Sequence, residues 1–339
     1  MPETLSLIRA RLRALGPGLL LTGTIALASQ FVSTRYGGPV MLYAILFGIA
    51  FNFLADNEKC ADGIRFASKF VLQLGVVLLG ASVTFGEIAG LGWATALLIV
   101  AAVAVTIALG WAIARLAGMS SPHAILSAGA VAICGASAAM AIASVLPKTP
   151  NSERNLIYTV VGVTTLSTVA MVLYPSLTHM LGFSDMRAGV YLGATIHDVA
   201  QVIGAGYIVS EDAGAVAAVV KLMRVALLAP AVFMIAMMFS RAETGAEASR
   251  RAFPIFLLGF AVVMAANSFG AFPEALRAVL SDASRWAFVI AVSALGVRTS
   301  LKDLFDLGPR PAAVMVGQTA VLALFVGVAT YAFSEFLPG

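Results

Sequence analysis

The sequence predicts an all-α, polytopic membrane protein with about eleven transmembrane helices, and three observations support that fold class. Of the 339 residues, 60% are hydrophobic and only 11% are charged, with a mean hydropathy of +0.96, far outside the range of soluble domains. Apolar runs long enough to cross about 30 Å of hydrocarbon recur along the whole chain. These runs are continuous rather than alternating with period two, which favours helices over a transmembrane barrel.

The predicted spans follow one another with short separators. Linkers such as ADNEKCADG and KTPNSER are too short for a folded soluble domain, so a single transmembrane domain over residues 1–339 is expected. The first apolar run follows three arginines and ends near an Ala-Leu-Ala triplet. A cleaved signal peptide therefore stays open, although an uncleaved first helix is favoured. The predicted spans are 17–33, 39–55, 65–83, 92–114, 122–146, 155–181, 187–209, 213–240, 253–268, 283–298 and 311–334.

The distribution of lysine and arginine predicts the orientation. With the N-terminus inside, thirteen basic residues fall in cytoplasmic segments and five fall on the other face, the asymmetry typical of cytoplasmic loops. We expect a protein of the bacterial inner membrane with a cytoplasmic N-terminus. An odd number of spans then places the C-terminus in the periplasm.

The second to sixth and the seventh to eleventh spans can be aligned as two repeats, 39–181 and 187–334, with 17–33 as an additional helix. In this alignment Asn52 falls opposite Asp198. The segment from Lys69 to Gln73 likewise falls opposite the segment from Lys221 to Arg224. A repeat of five helices inverts its second copy, and inverted repeats are typical of secondary transporters.

A competing alignment places residues 78–92 on 294–308 and pairs the third span with the tenth. Both alignments stay open. The five-plus-five version is preferred because it accounts for ten of the eleven spans.

Inverted-repeat transporters hold their solute where two crossed, discontinuous helices expose backbone groups. The best candidates for discontinuity are AVAICGASAAM in the fifth span and VSALGVRTS in the tenth, with Gly135 and Gly296 as the weak points. The alternative is that these small residues only allow neighbouring helices to pack closely.

Two basic residues inside the eighth span predict an anion site. Lys221 and Arg224 are three residues apart and share one helix face. A guanidinium and an ammonium converging on a hydrated cavity suit a small oxyanion. A half-helix N-terminus around Cys134, Gly135 and Ser137 would add backbone N–H groups and a hydroxyl. The alternative is that Asp198 pairs with one of the two bases and stabilises the fold.

His197, Asp198 and Gln201 lie in the apolar run GATIHDVAQVIGAG. A histidine titrates near neutral pH, so the first two residues are candidates for proton coupling. The alternative is a histidine that only bonds a neighbouring helix. Gln201 lies three residues from Asp198 and is a candidate substrate contact.

Several classes of function are disfavoured. Cys60 and Cys134 provide neither a disulfide framework nor metal-ligand spacing, and no cofactor or metal is expected. The basic residues are scattered, which argues against nucleic-acid binding. No catalytic triad order, phosphate loop or dinucleotide fingerprint is present, so an enzyme is not expected.

Three runs resemble the signature segments of the sulfate exporter family, a group of conserved hypothetical bacterial membrane proteins. They are AICGASAAMAIASVLP at 132–147, GATIHDVAQVIGAG at 193–206 and VVKLMRVALLAP at 219–230. The resemblance covers the chain from about residue 17 to its end. It implies kinship with the bile acid/sodium symporter and cation/proton antiporter folds, whose core domains contain crossed broken helices. Carried onto this sequence, it points to Cys134, Gly135, Ser137, His197, Asp198, Gln201, Lys221 and Arg224.

The sequence therefore predicts a secondary transporter that moves a small inorganic or sulfonate-like anion, with sulfate as one candidate, by alternating access. Its expected partners are the anion, a coupling proton or sodium ion, and the lipid bilayer, with a homodimer left open. One alternative is a cation/proton antiporter with Asp198 as ion carrier. Another is a non-transporting sensor or scaffold. The residues expected to bind substrate are Cys134, Gly135, Ser137, Gln201, Lys221, Arg224 and Gly296, the coupling residues are His197 and Asp198, and the secondary candidates are Asn52, Lys69 and Gln73.

Overall fold

The computed structural model describes residues 2–37, 40–239, 255–299 and 309–332, and every regular element within these ranges is helical. Seven of the described helices are long and apolar enough to cross a membrane, and four shorter apolar helices accompany them. In chain order the helices are α1 (Pro2–Tyr36), α2 (Val40–Ala50), α3 (Ala61–Ser82), α4 (Gly92–Leu116), α5a (Ser121–Ala132), α5b (Ala136–Val145), α6 (Ser152–Met180), α7a (Asp185–Thr195), α7b (Val199–Val209), α8 (Glu211–Phe239), α9 (Ile255–Ser268), α10 (Glu274–Arg298) and α11 (Pro309–Ala332).

Each predicted span overlaps one of these helices or a pair of half-helices, so the all-helical membrane fold is confirmed. The two repeats and the number of crossings stay predictions. Smaller irregularities also occur. A 3-10 turn, Asn52–Leu54, follows α2, and the turn Ala67–Val71 within α3 is a π-helix. A short helix, Phe85–Gly90, precedes α4.

One group of helices packs around α10, which contacts α1, α2 and α3, while α9 packs on α3. Close approach here depends on glycine pairs. A Cβ atom placed on Gly296 would lie 2.5 Å from the carbonyl oxygen of Ile45 and 2.8 Å from the Cα of Gly48. Small residues of this kind let membrane helices approach at backbone contact.

Gly296 is therefore a packing residue, and the prediction that the tenth span is discontinuous there is wrong. Helix α10 continues through Gly296 to Arg298. A glycine costs an exposed helix about 1 kcal/mol relative to alanine. The tight contact with Gly48 compensates for that cost, so the helix has no reason to break.

The second group contains α4, α5a, α5b, α6, α7a, α7b, α8 and α11. Helix α8 packs on both α7a and α7b, α4 packs on α5a and α11, and α6 contacts α5b and α7b. The interior of this group holds polar side chains with no exposed surface. Among them are His197, Gln201, Lys221, Arg224 and Gln318.

The fifth span is broken where the sequence predicts. Helix α5a ends at Ala132, and α5b begins at Ala136. Between them Gly135 has φ 64° and ψ −123°, a conformation that glycine adopts without steric cost and L side chains rarely adopt. The first of the two predicted discontinuities is therefore confirmed.

The second discontinuity lies in the seventh span, where we did not predict one. Helix α7a ends at Thr195 and α7b begins at Val199. Asp198 is the N-cap of α7b, and its carboxylate accepts a hydrogen bond of 2.9 Å from the backbone N–H of Ala200. The two discontinuous helices are thus the fifth and seventh, not the fifth and tenth.

Candidate functional site

The four ends of the two broken helices meet at one place, residues 131–138 and 194–201, which we call the half-helix junction. Lys221 of α8 connects the two broken helices. Its Nζ donates hydrogen bonds to the carbonyl oxygen of Ile133 at 2.7 Å and to that of Ile196 at 2.9 Å. One ammonium group therefore holds the C-terminal ends of α5a and α7a together.

Arg224 makes the same connection one turn further along α8. Its Nε and Nη2 each donate at 2.5 Å, to the carbonyl oxygens of Ala132 and Val131 respectively. Its Nη1 donates to the carbonyl of Ala194 at 2.8 Å and, more weakly, to that of Ile196 at 3.4 Å. The last carbonyls of a helix have no intrahelical partner, and here a guanidinium supplies the donors.

Close packing of α8 on α7a brings the two bases to these carbonyls. A Cβ atom on Gly193 would lie 2.6 Å from the carbonyl oxygen of Ala217, and one on Gly189 would lie 2.7 Å from the Cβ of Val216. The glycines of α7a therefore allow the two backbones to touch. The spacing of Lys221 and Arg224 keeps both side chains on the face that meets the junction.

This arrangement differs from the expectation that Lys221 and Arg224 face a hydrated cavity. Both side chains have no exposed surface. Nor does the alternative of a pair with Asp198 hold, since neither base forms an ion pair with a carboxylate within the described ranges. By donor count, the ammonium and the guanidinium each retain one N–H without an acceptor among the described residues.

The two cationic side chains interact instead with the C-terminal ends of helices. The C-terminus of a helix carries roughly half a negative charge, and two such ends converge on Lys221 and Arg224. Charge-assisted hydrogen bonds to carbonyls are about twice as strong as neutral ones. Five carbonyl oxygens accept from the two side chains, so the two bases fix the relative position of α5a and α7a.

The N-terminal ends of α5b and α7b form the other side of the half-helix junction, and they differ in their caps. Gly135, the N-cap of α5b, supplies no side-chain acceptor, whereas Asp198 caps α7b with a carboxylate. Cys134, between the two half-helices, is buried. Ser137, in the first turn of α5b, is exposed.

Exposure distinguishes the two sides of the junction. The residues at the C-terminal ends, 131–133 and 194–196, are all buried. At the N-terminal ends, Ala136, Asp198 and Val199 are partly exposed and Ser137 is exposed. The N-terminal ends of α5b and α7b are therefore the exposed side of the junction, and the two bases lie on its buried side.

His197 and Gln201 are both fully buried and are held by hydroxyls of other helices. His197 Nε2 lies 3.0 Å from the Oγ1 of Thr319 in α11, and Gln201 Nε2 donates to the Oγ1 of Thr168 in α6 at 3.0 Å. Among the described residues, Gln201 Oε1 has no hydrogen-bond partner. A Cβ atom on Gly135 would lie 3.5 Å from His197 Cβ, so the histidine lies against the break of the fifth span.

The sequence reasoning missed the polar residues of α6 and α11 that support the junction. The Oγ of Ser167 accepts from the N–H of Asp198 at 3.0 Å. Gln318, next to Thr319, donates to the carbonyl of Gly110 at 2.9 Å and to the Oγ of Ser127 at 3.1 Å. Serine and threonine are common in membrane helices, and the His197 contact crosses 122 positions of sequence. No local pattern distinguishes these residues.

The remaining predicted candidates lie elsewhere. Asn52 donates to the carbonyl of Val297 at 2.8 Å and so joins the end of α2 to α10. Gly296 packs against α2. Lys69 is exposed and Gln73 half-buried on the outer face of α3, where both line a surface groove with α1.

The fold and the junction define a class: a polytopic, all-helical membrane protein with two discontinuous helices whose C-terminal ends are clamped by buried basic side chains. The chain belongs to the family described as conserved hypothetical protein 698, whose model matches residues 17–315.

The relatives are named as membrane proteins. The UPF0324 membrane protein of Chlorobaculum tepidum is 45% identical over 313 residues, covering 91% of this chain and 87% of that protein. One from Rhizobium meliloti is 46% identical over 319 residues, covering 93% and 92%. The protein named TauZ from Paracoccus denitrificans is 45% identical over 332 residues, covering 97% and 98%. No solved structure matches the chain significantly.

Proposed function

We propose that this protein is a secondary transporter of a small oxyanion, sulfate or a sulfonate, which binds at the half-helix junction. The observation that carries the proposal is the charge of that junction. Lys221 and Arg224 contribute two positive charges, and Asp198 is the acid within the described part of the junction.

Helix dipoles do not cancel this excess. The two C-terminal ends and the two N-terminal ends contribute roughly half a charge each, of opposite sign. The sum over the junction is therefore about one positive charge. In a low-dielectric interior an uncompensated charge is costly, and a bound anion removes that cost.

The uncapped N-terminus of α5b is the proposed docking point. Its first N–H groups lack intrahelical acceptors, and the N-terminus of a helix favours anions. Ser137 would donate its hydroxyl to the same ligand. Lys221 and Arg224 act from behind, through their charge and through the geometry that they impose on the helix ends.

The coupling step is assigned to Asp198 and His197. Asp198 is partly exposed at the mouth of the junction, and His197 is buried directly behind it. Protonation of the aspartate would raise the positive charge of the junction by one and so favour anion binding. Binding of anion and proton would then be mutually reinforcing.

A sulfonate is as consistent with this chemistry as sulfate, since both present three or more oxygen acceptors around sulfur. Two relatives carry the printed name TauZ, a weak hint of a taurine-related role, and taurine is a sulfonate. The antiporter and scaffold alternatives make different predictions in the same assay.

The test is counterflow of radiolabelled sulfate and taurine in proteoliposomes. We expect uptake by the wild type and loss of at least tenfold in the variant Ser137→Asp, because a carboxylate at the first turn of α5b would occupy the anion's position. Ser144→Asp is the matched control. Ser144 is an exposed serine of the same half-helix whose hydroxyl bonds the carbonyl of Ala141, and we expect wild-type counterflow from this variant.

Other outcomes separate the alternatives. Sodium-driven proton movement without anion counterflow would favour the cation/proton antiporter with Asp198 as carrier. Absence of both activities in a folded protein would favour a scaffold.

A further inference from the structure

The outer groove between α1 and α3 lies apart from the half-helix junction and contains two basic side chains inside an apolar span. Arg65 and Lys69 line this groove, which has a volume of about 420 Å³. The volume is within the range of roughly 300–1,000 Å³ typical of small-molecule sites. Because the two residues are four apart on α3, their side chains share one face of the helix.

Neither basic group is strongly neutralised by protein. Arg65 lies 4.0 Å from the carboxylate of Asp62, and these two side chains are 70% and 61% exposed. Lys69 makes no ion pair within the described ranges. Arg65 and Lys69 against Asp62 leave the groove with a net charge of one positive unit, which matches a single phosphodiester.

The walls of the groove are apolar, unlike those of a site for a free inorganic anion. The rings of Phe66 and Phe70 are stacked with centroids 4.8 Å apart, and Leu15 of α1 faces them across the groove. Beyond the charges, Phe70 and Leu74 are 53% and 45% exposed along the same helix. These side chains form an apolar track that continues from the basic groups along the outer surface of the span.

The position of Lys69 along α3 also favours a phosphodiester as the ligand. Lys69 lies about 12 Å from the start of α3 at the rise of an α-helix, and long basic side chains at such depths extend toward the headgroup layer. Six of the 21 basic residues lie in or next to the first parts of α1 and α3, namely Arg9, Arg11, Arg13, Lys59, Arg65 and Lys69. The orientation that the basic residues predict would place this part of the two helices in the cytoplasmic leaflet, where anionic lipids attract basic side chains.

We propose that this groove binds one anionic phospholipid, with the phosphodiester between Arg65 and Lys69 and an acyl chain along Phe66, Phe70 and Leu74. Gln73 donates its amide to the ester region. The site is independent of the proposed transport function.

Native mass spectrometry of the full-length protein with phosphatidylglycerol or phosphatidylcholine tests this proposal. We expect phosphatidylglycerol to bind at least tenfold more tightly than phosphatidylcholine. The variants Arg65→Gln and Lys69→Gln should each weaken the binding of phosphatidylglycerol about fivefold, the equivalent of about 1 kcal/mol per basic residue. The double variant should weaken it about twenty-five-fold. Lys69→Arg should retain wild-type affinity within about threefold.

Lys59→Gln is the matched control for non-specific attraction. Lys59 is an exposed base in the loop before α3 and does not line the groove, so its removal should change affinity less than twofold. Equal binding of the two lipids, or wild-type affinity in the double variant, would overturn the proposal. Displacement of the lipid by inorganic phosphate at millimolar concentration would also overturn it and assign the groove to a free anion. Because all three side chains are exposed or half-exposed, the variants should fold, which circular dichroism checks.

Discussion

Two pairs of basic residues lie within apolar spans of this protein, and the fold uses them in opposite ways. Lys221 and Arg224 have no exposed surface and donate to five backbone carbonyls at the half-helix junction. Arg65 and Lys69 are exposed on the outer face of α3, with a weak contact to Asp62. A charge within a membrane span is costly unless it is paired or hydrated. The buried pair meets this requirement in part with helix ends, and for the outer pair we propose a lipid phosphodiester.

The difference between the two pairs depends on the helices that pack against α8 and α3, since both pairs consist of one lysine and one arginine. Helix α8 packs on a helix that is broken, and a broken helix exposes carbonyls that need donors. Helix α3 packs on α1 and α10, which run without a break, so most of their interior carbonyls accept a hydrogen bond from their own helix. A basic side chain on the inner face of α3 would therefore find few free backbone acceptors.

Removing the buried guanidinium should have the largest effect. Arg224→Met replaces the guanidinium by a shorter apolar side chain without a donor, so three carbonyls lose a partner in the interior. We expect a loss of about 3–5 kcal/mol in the free energy of unfolding, the usual cost of breaking a buried charged interaction. The measurement is thermal unfolding in detergent. A melting temperature within about 2 °C of the wild type would contradict the clamp.

Straining the backbone at the break of the fifth span should have the next largest effect on stability. Gly135→Ala forces a side chain into φ 64° and ψ −123°, and a strained conformation of this kind costs about 1–3 kcal/mol. The matched control is Gly23→Ala in α1, where a new Cβ meets nothing within 4 Å. The control should unfold at or slightly above the wild-type temperature. Equal behaviour of the two variants would show that the conformation of Gly135 is not required.

Substitutions on the N-terminal side of the junction should lower stability less. Asp198→Ala removes the cap of α7b and should lower the free energy of unfolding by about 1 kcal/mol. Asp198→Asn keeps an N-capping side chain and should lower it by only about 0.3 kcal/mol. Thermal unfolding of the two variants checks the order. If the asparagine variant retains stability but loses the pH dependence of counterflow, the carboxylate acts in coupling rather than in folding.

The outer pair should contribute least to stability. Lys69→Gln should change the free energy of unfolding by less than about 0.5 kcal/mol, as is usual for exposed side chains. The comparison with Arg224→Met in the same detergent tests the contrast between the two pairs directly. A loss above about 2 kcal/mol would show that Lys69 has a structural partner.

Much of the fold could be predicted from local composition. Apolar runs predicted the long helices and half-helices of the described residues but not the short helix Phe85–Gly90, and the glycine in AICGAS predicted the break of the fifth span. The break of the seventh span was missed, although Asp198 followed three residues later by Gln201 is close to the capping-box pattern of a helix start. Gly296 was misjudged because a glycine inside a helix has the same sequence signature whether the helix breaks or another backbone packs against it.

Within the candidate site, the sequence identified His197, Asp198, Lys221 and Arg224 as unusual for a membrane interior. It could not identify their partners. The acceptors of the two bases are backbone carbonyls, which every residue possesses, and the hydroxyls of Thr168 and Thr319 lie in other helices. The roles of these residues in transport stay predictions.

The sequence by itself determined that the chain is helical and membrane-embedded, because apolar length and continuity decide whether a segment is stable in hydrocarbon. It also determined which positions carry an unusual electrostatic cost. Only the tertiary structure decided how that cost is met, since the orphan carbonyls of one broken helix become acceptors only when another helix presents its donors within hydrogen-bond distance. Such contacts depend on the packing of α5a, α7a and α8 in three dimensions, and no single segment contains that information.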